Sequence, residues 1–375
     1  MENLKKTIKM ILISIASLIL LLILAITLFL NFYPSIGTTP SKKQAQEYSK
    51  LENYRDGQFR NAKDPVMNIN LKTMIEFFKG DPSRAPQEET PVLKLDSLEI
   101  EKFNNDSTRL TWFGHSAFLL EIDGLKILLD PMLGPVPAPH PWLGTKRYQD
   151  EIPLEIDKLP KIDAVFFSHD HYDHLDYLTI KKIKSKVDMF FVPLGIANHL
   201  QGWGVDESKI QEFNWWEGTE YKNLKLTSTP AQHFSGRGLF DRGKTLWCSW
   251  VIQGKKDNIY FSGDGGYGDH FKEIGEKLGP FDFAMMECGQ YNKDWADIHM
   301  MPEETAQAAK DIKADRFMPI HWGSFTLSLH PWKDPIERVT KKAKELKLNI
   351  ATPRIGESIF IQSNANYVNW WEGIN

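Results

Sequence analysis

The sequence predicts an α+β fold: two packed β-sheets flanked by helices in one domain over residues 107–362, preceded by one N-terminal transmembrane helix. Three observations carry this. Short apolar runs that end in turn residues recur from Ser107 onward, stretches of helical periodicity fall between several of them, and one uncharged run of membrane-spanning length lies near the N-terminus. A chain of 375 residues with 42% hydrophobic content is long enough to bury a sizeable core. Its formal net charge of -4 comes from well-mixed acids and bases, so no field of one sign is offered to nucleic acid. Cys248 and Cys288 stand in different segments and form neither a disulfide framework nor a four-sulfur metal site, so both are expected reduced and buried.

Residues 1–9 read as a short cytoplasmic N-terminus and residues 10–30 as the transmembrane helix. The run MILISIASLILLLILAITLFL carries no charge and has the length that crosses a hydrocarbon core of roughly 30 Å. A secretory signal would be shorter, about 7 to 15 apolar residues, and Phe29 to Tyr33 offer a poor cleavage site. Lys5, Lys6 and Lys9 precede the span, which predicts a single-pass cell-membrane protein with the remainder outside the cytoplasm, although Lys42 and Lys43 pull the other way. Residues 31–106, with PSIGTTPSKK and GDPSRAPQEETP, read as a connector. Within it NINLKTMIEFF is periodic enough for one helix, which packs on the main domain or lies against a membrane surface, packing being the favoured reading.

From Ser107 the strands TRLTWFG, AFLLEIDG and LKILLDP follow in turn, with Asp123-Gly124 as a hairpin signal between the second and third. AVFFSHD, DMFFVP, LKLTSTP, TLWCSWVIQG, NIYFSGD and FDFAMMECG are further strands, expected mostly in hairpins. Helices are expected over residues 175–186, 266–278, 303–312 and 335–346, and residues 363–375 read as a C-terminal tail. The pentapeptide NWWEG, at Asn214 and again at Asn369, reads as coincidence or shared local packing. KKIKSK from Lys181 reads as the solvated end of a helix.

The chemistry concentrates in FFSHDHYDHL, from Phe166. His169 and His171 are two apart at a strand end, so an extended backbone points both rings to one side and lets them share a metal. Asp173 and His174 follow where a helix begins, and the change of direction aims them at a second point close by. Burying these groups beside Phe166 and Phe167 without partners would be costly. More ligands should arrive at other strand ends, and PAQHFSGRG, FSGDGGYGD and PIHWGSF each place one ligand-type residue, His233, Asp264 and His321, directly after an apolar run. Asp264 is the natural bridge between two ions because it has two oxygens, and its glycine neighbours permit a close backbone approach. Imidazole and carboxylate ligands suit two Zn2+, and Mn2+ or Fe are compatible with the same ligand types.

HDHYDH resembles the H-x-H-x-D-H signature of the metallo-β-lactamase superfamily. Within it the chain is most similar to the branch containing the phospholipase D that hydrolyses N-acyl-phosphatidylethanolamine. The segments carrying the likeness are WFGHSAFLLEIDGLKILLDPML, WLGTKRYQ, HDHYDHLD, NWWEG, PAQHFSGRGLFDR, LWCSWVI, SGDGGYG, DIHMMPEE and IHWGSF. The resemblance implies a four-layer αββα sandwich with the site at one edge of its sheets. It implies one metal on His169, His171 and His233, a second on Asp173, His174 and His321, and Asp264 bridging both. It also implies a catalytic role for His299 in DIHMMPEE, facing substrate without binding metal. Asp130 resembles an aspartate that steadies ligand histidines, and His115 in WFGHS reads as a buried turn residue. Two cations would activate a bridging hydroxide, His299 would donate to the leaving side, and Arg237 and Arg242 are candidate phosphate contacts. The expected substrate is therefore a phospholipid ester such as N-acyl-phosphatidylethanolamine. A small lactone, amide or phosphodiester hydrolysed outside the cytoplasm is the alternative, and a non-catalytic metal-stabilised binding module is less favoured. Trp203, Trp215, Trp216, Trp295 and Trp370 are read chiefly as core, with an interfacial lipid patch as the other reading.

Overall fold

The uncharged N-terminal run forms α1 (Glu2–Phe32), one continuous helix with no buried residue. No proline or glycine interrupts it, and its leucines and isoleucines have no domain to pack on. The computed structural model describes residues 1–375 apart from 104–106, 364 and 366, so the expected domain start after Asp106 borders a stretch outside the described residues. The connector is built from α2 (Lys42–Tyr48), a small hairpin of β1 (Tyr54–Arg55) and β2 (Gln58–Phe59), α3 (Leu71–Lys79) and α4 (Ser97–Lys102). It is anchored to the main domain: Tyr48, Tyr54 and Phe59 are buried in one cluster with Ala231, Leu246 and Trp247.

Two seven-stranded sheets follow. The first contains β3 (Arg109–Trp112), β4 (Phe118–Ile122), β5 (Leu125–Leu129), β6 (Ile162–Phe166), β7 (Val187–Pro193) and β8 (Ile210–Phe213). The second contains β9 (Gly218–Tyr221), β10 (Leu224–Thr229), β11 (Ser249–Gln253), β12 (Asn258–Phe261), β13 (Phe281–Glu287), β14 (Ala314–Ile320) and β15 (Asn349–Ile350). The chain then returns to the first sheet, where β16 (Ser358–Phe360) pairs with β3. Pairing mostly in hairpins was expected, but each sheet is antiparallel in one half and parallel in the other, with β5 to β8 and β12 to β15 parallel. Parallel strands require crossovers; on the first sheet a long loop joins β5 to β6, and α5 (Tyr177–Ile183) and α6 (Ala197–Gly202) supply the other two. On the second, α7 (His270–Lys277), α8 (Pro302–Asp311) and α9 (Asp334–Leu346) do so.

The layers explain the apolar runs. On β4, Phe118, Leu120 and Ile122 face the inter-sheet core, which includes Trp250, Tyr260 and Phe283. Leu119 points the other way into the cluster with Ile180, Ile183 and Leu200 under α5 and α6. A strand covered on both faces needs no polar alternation. The segment read as a C-terminal tail is part of this core: Trp370 and Trp371 are buried, and Trp370 stacks on Trp322 at 5.3 Å. The two NWWEG copies pack differently, Trp215 being half-buried beside Trp247.

Candidate metal centre

The strand directions bring the chemistry to one edge. β3, β5 and β6 run the same way through the pairings of the first sheet, as do β10, β12 and β14 in the second. His115, Asp130 and His169 follow the first three, and His233, Asp264 and His321 follow the others. His115, Asp130 and His321 have positive φ of 54°, 37° and 69°, a sparsely populated backbone for such residues that turns each side chain back over the edge. Gly263, at φ 59°, is required: a Cβ there would lie 2.4 Å from the Ser168 Cβ, so only glycine lets Asp264 reach the histidine loop.

All seven side chains expected as ligands converge. His171 Nδ1 lies 2.9 Å from His169 Nε2 and 3.2 Å from His233 Nε2. Three nitrogens bound to one tetrahedral ion at about 2.0–2.1 Å would stand about 3.3 Å apart, so this trio fits a single cation. His115, Asp173, His174 and His321 form the second cluster. Asp264 stands between the clusters, its Oδ2 3.1 Å from His174 Nε2 and 3.9 Å from both His169 Nε2 and His233 Nε2, and its Oδ1 3.1 Å from His321 Nδ1. His174 Nε2 and Asp264 Oδ1 are buried without a hydrogen-bond partner despite these close approaches. Buried lone pairs aimed at a common point and left unpaired are what a cation site requires.

Supporting contacts fix several of these rings. His233 Nδ1 lies 3.0 Å from the Ile298 carbonyl, which leaves Nε2 for the centre. Asn61, from the connector, clamps the His233 backbone by donating to its carbonyl at 2.8 Å and accepting from its N–H at 3.1 Å. Asp130 Oδ2 is 2.6 Å from His174 Nδ1 and its Oδ1 accepts from Ser168 N at 2.7 Å, which fixes the orientation of the His174 ring. Asp170 accepts from Gly236 N and Thr245 Oγ1, each at 2.8 Å, and ties the histidine loop to the segment after His233. His115 is a buried turn residue and more: its Nε2 lies 3.0 Å from Asp173 Oδ2.

Burial and the neighbouring imidazoles hold His169 well below the usual histidine range, and burial does the same for His233 and His321. Their lone pairs are therefore free for metal. At His174 burial works downward, but the carboxylates of Asp264, Asp173 and Asp130 outweigh it and hold the ring well above its ordinary value. That anionic surrounding favours positive charge, which a cation supplies equally well. Burial pushes Asp264 up to about 6, against the pull of His174. Cys248 and Cys288 are free and buried, and burial pushes both thiols up.

His299 stands beside the cluster with its ring stacked on His321 at 5.3 Å. Its Nδ1 lies 3.2 Å from Glu287 Oε1, while Met300 N donates to Glu287 Oε2 at 2.9 Å. Arg237 is elsewhere: its fork is buried and spent on the carbonyls of Ser35, Asp170 and Leu175, so it is not placed to meet a substrate phosphate. Arg242 lies over the Phe234 ring at 3.8 Å, and Nη2 is 3.2 Å from the Met67 sulfur. Phe234 and Met67 line the cavity above the cluster, so Arg242 is at its rim.

The Beta-lactamase superfamily domain matches residues 126–322, just over half of the chain. The chain belongs to the metallo-β-lactamase superfamily. Its fold is the αββα sandwich of that superfamily. A possible metal-dependent hydrolase from Veillonella parvula superposes with a TM-score of 0.55 at 19% identity, covering 68% of this chain and 99% of that one. An uncharacterized protein of Mycobacterium tuberculosis is 37% identical over 326 residues, 85% of this chain and 87% of its own length. The N-acyl-phosphatidylethanolamine-hydrolyzing phospholipase D 1 of Caenorhabditis elegans is 34% identical over 285 residues, 71% of this chain and 80% of its own. The superfamily membership, the hydrolase relatives and the clustered ligands together make this chain a metal-dependent hydrolase.

Proposed function

We propose that the chain is a membrane-anchored, two-metal phosphodiesterase of the phospholipase D type, acting on N-acyl-phosphatidylethanolamine or a related phospholipid with zinc as its metal. The observation that carries this reading is a cavity of about 460 Å³ with two contrasting walls. His171, Asp173, Asp264, His299 and His321 form its polar floor, and Met67, Ile69, Met74, Phe77, Phe78, Trp295 and Leu327 form its apolar side. An amphiphile with a phosphate on the floor and a chain along the wall matches both. The worm relative named for this activity supports the same substrate class.

One zinc would rest on His169, His171 and His233 and the other on Asp173, His174 and His321, with Asp264 between them. When bound, the pair supplies Lewis acidity toward the phosphate and an activated water. Burial holds Glu287 well above the usual carboxylate range, so its carboxyl keeps a proton and donates it to His299 Nδ1, which puts the ring's own hydrogen on Nε2, the edge available to the cavity, where it donates a hydrogen bond to the leaving oxygen. Arg242 supplies positive charge at the rim. The apolar wall excludes water from one side of the phosphate and orders the acyl chain. α1 holds this site at the membrane, with the N-terminus cytoplasmic and the catalytic domain outside.

The test offers the detergent-purified protein N-acyl-phosphatidylethanolamine, bis-para-nitrophenyl phosphate and a homoserine lactone separately. Release of phosphatidic acid and N-acylethanolamine from the lipid is the expected outcome. Turnover of the lactone alone would overturn the phosphodiesterase reading.

A further inference from the structure

The chain leaving α1 does not run freely to the catalytic domain. Arg237 Nε and Nη2 donate to the Ser35 carbonyl at 3.0 and 2.6 Å, Trp203 Nε1 donates to the Pro34 carbonyl at 2.7 Å, and Thr38 N donates to His199 Nδ1 at 2.9 Å. Gly37, at φ 81°, lies so close that a Cβ would meet His199 Nδ1 at 2.1 Å. The Ser35 hydroxyl donates to the Pro139 carbonyl, and Tyr33 packs on His140 at 5.5 Å. Tyr33 is only three residues past the apolar run, about 5 Å of helical rise. The clamp therefore grips the protein at the level where a span would leave the hydrocarbon.

Around this clamp, large apolar side chains face solvent. Trp142, 4.9 Å from His140, is 91% exposed, and its neighbour Leu143 is also exposed. Phe240, three residues past the clamping Arg237, is 90% exposed beside exposed Leu239. Arg242, next along, touches Met67, which leads into α3. On α3 only Thr73 is buried, and Phe78 is 83% exposed at the mouth of the cavity. Such exposure of aromatic and aliphatic groups in solution is costly, and each of these segments is tied back to the exit of α1 by the contacts of His140, Arg237 or Arg242 or by the short run of chain beside them.

We propose that these loops and α3 form a juxtamembrane collar that inserts into the bilayer surface. The clamp on residues 33–38 fixes the catalytic domain so that its cavity opens directly onto lipid. The proposal rests on the reading of α1 as a membrane span. Interfacial aromatics and an amphipathic helix are suited to this depth, and the rigid clamp holds the orientation that a free linker would randomise.

The test uses the full chain reconstituted in phosphatidylcholine vesicles. Because Cys248 and Cys288 are buried, the variants Trp142→Cys, Phe240→Cys and Phe78→Cys each offer one reactive thiol for an environment-sensitive fluorophore. Lys344→Cys on α9 is the reference. It lies toward Asn349, which pairs with the start of β14, the end away from His321. Lipids carrying a shallow nitroxide are expected to quench the three collar labels several-fold more than the reference. Equal quenching at all four positions would overturn the collar. Carbonate extraction separates the two readings. Protein that stays in the membrane with unquenched labels retains the span and loses the collar, and protein that is extracted loses both.

Discussion

The two metal clusters sit side by side and are built differently. The trio of His169, His171 and His233 is all imidazole, each ring converging within 3.2 Å of its neighbour, and it is steadied by a hydroxyl, a carbonyl and the Asn61 amide. The group of Asp173, His174 and His321 is anionic, with Asp130 and Asp264 pressed on His174. In the two-metal reading the first cluster would bind its ion through geometry and neutral lone pairs. The second would bind through charge, because its carboxylates call for something positive. The difference teaches that the two ions should respond to different substitutions, although Asp264 links them.

The largest effect is expected at that link. Asp264→Ala removes the carboxylate whose two oxygens reach rings of both clusters, and it should abolish turnover and lower the metal content measured by elemental analysis. Near-normal activity in that variant would break the two-metal account. His299→Gln should leave both clusters loaded while lowering kcat by roughly 10² to 10⁴-fold, the usual weight of one acid–base group. Loss of metal in that variant would show that His299 is a ligand. Asp130→Asn weakens the hold on His174 directly and that on His169 only through the Ser168 hydroxyl, so affinity for the second ion should fall by roughly 10 to 100-fold and affinity for the first by less. Equal loss of both ions would erase the contrast between the clusters. Asn61→Ala is the counterpart for the first cluster. It leaves the His233 backbone N–H and carbonyl short of partners, while Trp247 Nε1 keeps the Ala231 carbonyl, and should cost about 1–3 kcal/mol, read as a lower midpoint in denaturant.

How much of this was legible before the structure depended on distance along the chain. The segment His169 to His174 carries five ligand-type side chains within six residues, so its meaning is local. His233, Asp264 and His321 could be read because each follows an apolar run and strands end together at a sheet edge. The same signal stands at His115, directly after β3, and was passed over in favour of a turn. Glu287 announced itself as a lone carboxylate in an apolar strand, FAMMECG, yet its partner His299 is twelve residues on and the pairing is visible only in three dimensions. Asp170, Asn61 and Arg237 act through backbone groups brought from far away, which no spacing encodes. Parallel pairing escaped because a strand covered on both faces looks alike in either orientation. The tryptophans were sorted by chemistry alone: Trp203, Trp295 and Trp370 are buried and Trp215 is half-buried, whereas Trp216 is exposed, and so is Trp142 at the head of WLGTKRYQ. The helix expected to pack on the domain leaves Leu71, Met74, Ile75 and Phe78 exposed, because its neighbours in the structure leave that face open.

The central claim is that two cations, held by chemically distinct halves of one site, act together. Stepwise loading of the metal-free, detergent-purified protein, with bound metal counted per chain and phospholipid hydrolysis followed at each step, tests it most directly. The account predicts two ions at saturation and full activity only when the second has bound. Full activity with one ion per chain, or with none, would contradict it.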